Sequence, residues 1–326
     1  MARFCGRALV RGRAEGHGQS AIGDQGPFPV GRVAGINQGD QLRRVAPAMA
    51  READVSTIVV PLDGSSFAES ALPIARGLAE RDQGTLRLVR VSVPATTDDC
   101  DRYLQEVAAG LAGPPISTSI YVASMGDRVS DGVKAVLGEL PDALVCMTAH
   151  GRSGLGAAVL GSNAEDILHR LGEPAVVVGP RCAGSWPAEP RMVVPLDGSG
   201  RAERILPRVA WAAEEWSLDA CVLQVAHPLD TEVVNAGGGS AEHARWQLEE
   251  LGVQAQASFQ VGPDPAAAIA KQARLLEASL IVMSSYIHPG VARTLLGSVT
   301  MQVIHRAPCP VLVCPPSGDA DERSLA

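Results

Sequence analysis

From residue 55 onward, short β-branched runs alternate with longer stretches of helical period. Strands are predicted near 56–62, 85–93, 116–123, 143–147 and 175–178, and again near 191–196, 219–226, 253–261, 279–283 and 311–314. Amphipathic helices fall between them, which is the pattern of β-α units around a parallel sheet. Ser66 and Glu69 have the Ser-x-x-Glu spacing of a capping box at the head of the first helix.

The pattern is written twice. IVVPLDGSSFAESALP at 58–73 returns as MVVPLDGSGRAERILP at 192–207, and AVLGSNAEDILHRLGEPAVVV at 158–178 returns as TLLGSVTMQVIHRAPCPVLVC at 294–314. Asp197 follows Asp63 by 134 positions and Gly297 follows Gly161 by 136, so the second copy carries a net insertion of two residues. Such a duplication fixes the organisation before any single residue is interpreted. The expected fold is α/β: two tandem, doubly wound, five-stranded parallel-sheet domains of Rossmann-like type, at 55–181 and 190–316. A Pro- and Gly-containing linker, 182–189, separates them, and a polar tail, 317–326, follows. The closing strands of the two copies are short and apolar, and exposed edges of that kind invite pairing. The halves are therefore expected to pack about a pseudo-two-fold axis within one chain; whether two chains then form a homodimer is left open.

Residues 1–54 have no counterpart in the second half and no periodicity, and the first 53 hold eight Arg against four acids. They read as a disordered extension, or as a start codon assigned too far upstream.

Composition narrows the function. A net charge of -8 and a pI near 5.4 argue against nucleic acid as the main partner. Neither lysine, Lys134 or Lys271, follows a glycine, so no Gly-x4-Gly-Lys-Ser/Thr phosphate loop is present. No apolar run approaches the roughly 18 residues of a spanning helix, and the expectation is a cytoplasmic protein with no membrane partner. The seven cysteines form no CxxC pair, which favours reduced thiols over disulfides, and no Cys/His cluster suggests a metal.

Two loops look made for the carboxyl ends of a doubly wound sheet, where ligands bind. In the first, Pro61-Leu62-Asp63-Gly64-Ser65, a strand ends on a carboxylate. Asp63 either caps the following helix or accepts a hydrogen bond from a ligand amino group or sugar hydroxyl. The second runs from Met147 and Thr148 through His150, Gly151, Arg152 and Ser153 to Gly161 and Ser162. Its glycines would let backbone N–H groups approach phosphate oxygens, and a helix starting at Ser162 would point its positive end at them. A flexible Gly-rich connection is the alternative by composition.

Together, the VPLDGS turn, the M-x-x-H-G-R-S-G-L run and the Gly-x9-Gly-Ser spacing resemble the universal stress protein family in its tandem form, over residues 55–316. The resemblance implies a five-stranded parallel sheet, dimeric packing and, in one subclass, ATP binding through Gly-x2-Gly-x9-Gly-Ser/Thr. Gly151, Gly161 and Ser162 match that pattern, and Thr148 replaces its first glycine. By the same resemblance Asp63 and the Val91 backbone would hold adenine, with Pro61 and Met147 lining the site. Gly151, Gly161, Ser162 and Asn163 would face the phosphates, and Arg152 is added as a phosphate contact. The second copy keeps Asp197, Val225, Met283, Gly297 and Ser298, but Ile287 stands where Gly151 stands and Pro289 removes a donor. It is expected to fold and to bind nucleotide weakly or not at all.

His150 and His288 have no accompanying nucleophile motif, so no catalytic residue is assigned. The expected function is an ATP-binding stress-response regulator acting through nucleotide-dependent conformation or assembly with an unidentified protein partner. ATP, with Mg2+ as its companion, is the expected ligand and is not required for folding. The alternatives are an interaction module that uses no nucleotide and, ranked last, a slow ATPase or nucleotidyl transferase.

Overall fold

The computed structural model describes residues 57–315 apart from 82, 94–95, 125, 141, 150–159, 183–185, 187–189, 201 and 285–295. The first repeat contributes β1 (Thr57–Pro61), α1 (Ser66–Glu69), α2 (Leu72–Arg81), β2 (Thr85–Ser92), α3 (Thr97–Gly110), β3 (Ile116–Val122), α4 (Val129–Gly138), β4 (Ala143–Thr148), α5 (Ser162–Leu171) and β5 (Ala175–Val178). The second contributes β6 (Arg191–Leu196), a 3-10 turn (Ala202–Ile205), α6 (Leu206–Trp216), β7 (Asp219–Ala226), α7 (Thr231–Ala236) and α8 (Gly239–Glu250). It ends with β8 (Ala255–Val261), α9 (Pro265–Leu275), β9 (Leu280–Ser284), α10 (Ser298–Arg306) and β10 (Val311–Cys314).

The strands form one ten-stranded sheet in the order β3-β2-β1-β4-β5-β10-β9-β6-β7-β8. Within each repeat every neighbouring pair is parallel. The two five-stranded halves meet where β5 and β10 run antiparallel, with Ala175 opposite Val313, Val176 opposite Leu312 and Val177 opposite Val311. An antiparallel contact between equivalent strands requires a pseudo-two-fold axis perpendicular to the sheet, which keeps corresponding helices on the same face. All six facing residues are buried. At about 1.5–3 kcal/mol for each fully buried aliphatic side chain of Val or Leu size, this seam is a large part of the apolar stabilisation of either edge.

The halves do not keep separate cores. One apolar layer combines Leu78 of α2, Leu104 of α3, Leu206 of α6 and Leu248 of α8 with Val176 and Leu312 from the seam. The opposite layer combines Val133 of α4, Ile167 of α5, Ile269 of α9 and Val303 of α10 with Val177 and Val311. Period-2 alternation along β5 and β10 sends successive side chains to opposite layers, so each layer runs uninterrupted through both repeats.

The segment between the repeats is anchored. Trp186 packs edge-on against Trp216 of α6 with ring centroids 5.9 Å apart, and Trp211 adds a second such contact to Trp216 at 5.3 Å. A β-carbon at Gly77 of α2 would lie 2.6 Å from the Trp186 β-carbon, so a bare α-carbon there lets the indole seat against the first repeat.

Among the described residues the six cysteines form no disulfide, and burial pushes the Cys314 thiol up to about 12 and those of Cys146 and Cys309 up as well. Among the described residues no helix is long and apolar enough to cross a membrane, and no group of three or more His, Cys, Asp or Glu is placed to hold a metal ion.

Candidate functional site

In the first repeat the chain passes from β1 outward to β2 and β3, then returns across β1 to β4. The crevice beyond the carboxyl ends of β1 and β4 is therefore the topological switch point, where open α/β sheets hold ligands. A cleft of about 1010 Å³ opens there. Eight of the residues singled out in the sequence line it: Pro61, Asp63, Val91, Met147, Thr148, Gly161, Ser162 and Asn163. Gly151 and Arg152, together with His150, lie outside the described residues.

Asp63 builds the turn at the floor of this cleft. Its Oδ1 accepts from the Ser65 backbone N–H at 2.9 Å and from the Ser65 hydroxyl at 2.6 Å. Ser65 Oγ in turn accepts from the Ala68 N–H at 3.2 Å and is the N-cap of α1. The expected capping box at Ser66 and Glu69 is thus displaced by one residue: Ser66 is already helical, and Glu69 accepts from the Tyr103 hydroxyl at 2.8 Å. The reason is local, because an Asx turn at Asp63 delivers Ser65, not Ser66, to the capping position. Gly64 supplies the positive φ of 84° that the turn needs. The second repeat reproduces the device with Asp197 Oδ1 accepting from Ser199 N at 2.9 Å and Oγ at 2.6 Å, and with Gly198 also at φ 84°.

Beside this turn stands a residue the sequence reading passed over. Arg90, near the carboxyl end of β2, lines the cleft with its guanidinium carbon 4.8 Å from the Tyr103 ring centroid. Its Nη1 lies 2.6 Å from where a β-carbon of residue 64 would be, so a side chain at position 64 would displace it. Burial, followed by the hydrogen bond to Glu69, pushes the Tyr103 phenol well above its ordinary range, so it stays protonated and keeps donating. The available signal was a cation at the last turn of an apolar strand, LRLVRVS. In the second repeat Gln224 takes this place, only 2% exposed, with Nε2 2.6 Å from the β-carbon position of Gly198. Ser240 Oγ donates to the Gly198 carbonyl at 3.4 Å from the other side.

The far wall is the start of α5. Gly161 is its N-cap, and no side chain caps the helix there. The first amides of a helix have no intrahelical partner, and they carry its partial positive charge. Ser162 and Asn163 of this first turn face the cleft. Thr148, which stands in place of the first glycine of the Gly-x2-Gly-x9-Gly-Ser/Thr pattern, is the last residue of β4 and pairs with Val178. A strand position does not demand glycine.

A clasp ties this wall to the loop opposite. Asp166 of α5 accepts from Arg128 Nη1 at 2.9 Å, from Arg170 Nε at 2.9 Å and from the Ser130 hydroxyl. Arg128 is flanked by Asp127 and Val129, both lining the cleft. Burial alone would raise the Asp166 carboxyl; the hydrogen bonds from Ser130, Arg128 and Arg170 outweigh it and hold it below its ordinary value. The second repeat closes the corresponding joint with Asp264, the N-cap of α9, and Arg306 of α10 at 2.5 Å. There the hydrogen bond from Arg306 leads in lowering the Asp264 carboxyl.

The expected residues of the second site hold equivalent stations. Asp197 follows β6, Val225 lies in β7 and Met283 in β9, while Gly297 is the N-cap of α10 and Ser298 its first residue. Ile287, His288 and Pro289 lie outside the described residues.

Fold and site together define a doubly wound α/β protein with a switch-point cleft. Residues 190–315 match the model of the Universal stress protein family. A curated relative, universal stress protein YxiE of Bacillus subtilis (strain 168), is 29% identical over 144 residues, which is 38% of this chain and 97% of that protein. Among solved structures, PA1789 of Pseudomonas aeruginosa PAO1, a protein of unknown function, superposes with a TM-score of 0.58 at 18% identity, covering 82% of this chain and 94% of its own. A universal stress protein from Archaeoglobus fulgidus DSM 4304 gives 0.54 at 18% identity over 81% and 100% of the two chains. The second repeat thus matches the universal stress protein family model, and the first repeat lays down the same fold beside it. At these identities the two structures speak to the fold alone.

Proposed function

We propose that the first repeat binds an adenine nucleotide, ATP by the family resemblance, and that the protein is a cytoplasmic stress-response regulator whose conformation or assembly follows nucleotide occupancy. The observation that carries this reading is convergence: eight residues chosen from sequence for nucleotide contact line one cleft at the switch point. The uncapped amides of α5 form one end of that cleft. Gly151 and Arg152 complete the proposed phosphate side. Mg2+ would arrive with the triphosphate and neutralise part of its charge. The cleft's Asp63 and Asp127 already accept protein hydrogen bonds, from Ser65 and from Ser124 and Tyr121 respectively.

The second repeat is proposed to bind nucleotide weakly or not at all. Ile287 and Pro289 remove backbone access in sequence terms, and Ser240 packs onto the turn at Gly198. Calorimetric titration with ATP, ADP and AMP tests the reading. Binding in the first repeat supports it, and the lack of any binding at millimolar ligand rejects it in favour of an interaction module that uses no nucleotide.

A further inference from the structure

We infer that Arg90 reads the base edge in the first cleft and extends it to 6-keto purines, so that GTP and ITP bind at least as tightly as ATP. The inference rests on the nucleotide reading of that cleft and adds the identity of the base.

Charge inside the cleft is the starting point. Its lining includes the carboxylates of Asp63, Asp99 and Asp127 and the guanidinium of Arg90. The acids are engaged: Asp63 with Ser65, Asp99 with Arg102 at 3.2 Å, Asp127 with the Ser124 N–H at 2.7 Å and the Tyr121 hydroxyl at 3.1 Å. Arg90 differs. The contact that fixes it is the face of Tyr103, and among the described residues no carboxylate or carbonyl takes its N–H groups. A ring face orients a guanidinium without consuming its in-plane donors.

Position then assigns those donors to the base. Strand order β2-β1-β4 sets Arg90 about two strand spacings, roughly 10 Å, from the α5 side of the cleft, where the phosphates would sit. Arg90 lies over Gly64, next to Asp63, whose Oδ1 is held by the turn. A base placed against this wall meets a donor fork. Guanine offers two acceptors, O6 and N7, in the spacing that an arginine fork matches; hypoxanthine offers the same pair, whereas adenine presents an amino donor at the six-position.

The duplication supplies the control. The second repeat carries Gln224 at the equivalent register and against an equivalent glycine turn. A glutamine amide matches the N6 and N7 edge of adenine in place of the guanine edge. Arg90→Gln therefore installs a side chain that this fold already accommodates.

The test is equilibrium titration of the full chain and of Arg90→Gln with ATP, GTP and ITP, with Arg90→Lys as a second variant that keeps the charge and loses the fork. The expected result is GTP and ITP binding at least equal to ATP in the wild type. Both variants should lose about ten-fold or more for GTP and ITP, with ATP changed much less. ATP binding without GTP or ITP binding overturns the inference and leaves the nucleotide reading standing, as does GTP binding unchanged in both variants. No binding of any of the three overturns both.

Discussion

The guanidinium of Arg90 rests on the ring of Tyr103 at 4.8 Å, and the Tyr103 hydroxyl donates to Glu69 at 2.8 Å. A strand-end cation is thereby fixed through α3 to the first turn of the chain after β1. The wall of the cleft is braced by the protein's own contacts.

Tyr103→Phe removes one hydrogen bond from this brace and is expected to cost about 1 kcal/mol near pH 8. The phenol is raised above its ordinary 10.0 in the folded state. A raised group stabilises fully below the unfolded pKa and loses that contribution as pH climbs from there through the folded value. The Tm difference between wild type and Tyr103→Phe should therefore hold steady to about pH 10 and shrink above it. Thermal melts across pH 8 to 11 check this, and a difference that grows with pH contradicts it.

Val177→Asp places a carboxylate in the seam opposite Val311, at a position with 0% exposure. An unpaired buried charge should cost roughly 3–5 kcal/mol. Because both apolar layers run through the seam, urea unfolding of the wild type should be a single transition reporting on both repeats. Two well-separated transitions in the wild type would show that the repeats are independent.

Asp166→Asn tests the clasp between α5 and the loop around Arg128. The carboxylate is held below its ordinary value, so its stabilisation is present above the unfolded pKa near 4 and disappears as pH falls through the lower folded value. Wild type should exceed Asp166→Asn in Tm by a constant margin above about pH 5, and the margin should shrink as the pH falls below about 4. ATP affinity should also weaken a few-fold, since Asp127 and Val129 lose their tie to α5.

What the sequence made legible follows from which forces act locally. The β-branched runs placed all ten strands to within two residues, since parallel β-α units write each strand as a contiguous apolar block. The cleft residues were legible from the loops after the first and fourth strands and from the resemblance those loops carry. Other features depend on contacts between distant segments. The cap shifted to Ser65 because Asp63 folds back on its own turn. Residues 182–189 read as a Pro- and Gly-containing linker, and the seat of Trp186 within it depends on Gly77 and Trp216 coming together. Arg90 was passed over because its place in the cleft depends on α3 bringing Tyr103 against it. Asp166 gathers partners from α4 and its N-cap, which periodicity cannot place beside α5.

The central claim is a division of labour between two copies of one fold, and paired substitutions at matching strand ends test it most directly. Thr148 closes β4 in the first repeat and Ser284 closes β9 in the second. Calorimetric titration with ATP should give one site per chain, abolished by Thr148→Trp and preserved in Ser284→Trp. Binding that survives Thr148→Trp and vanishes in Ser284→Trp would contradict the account.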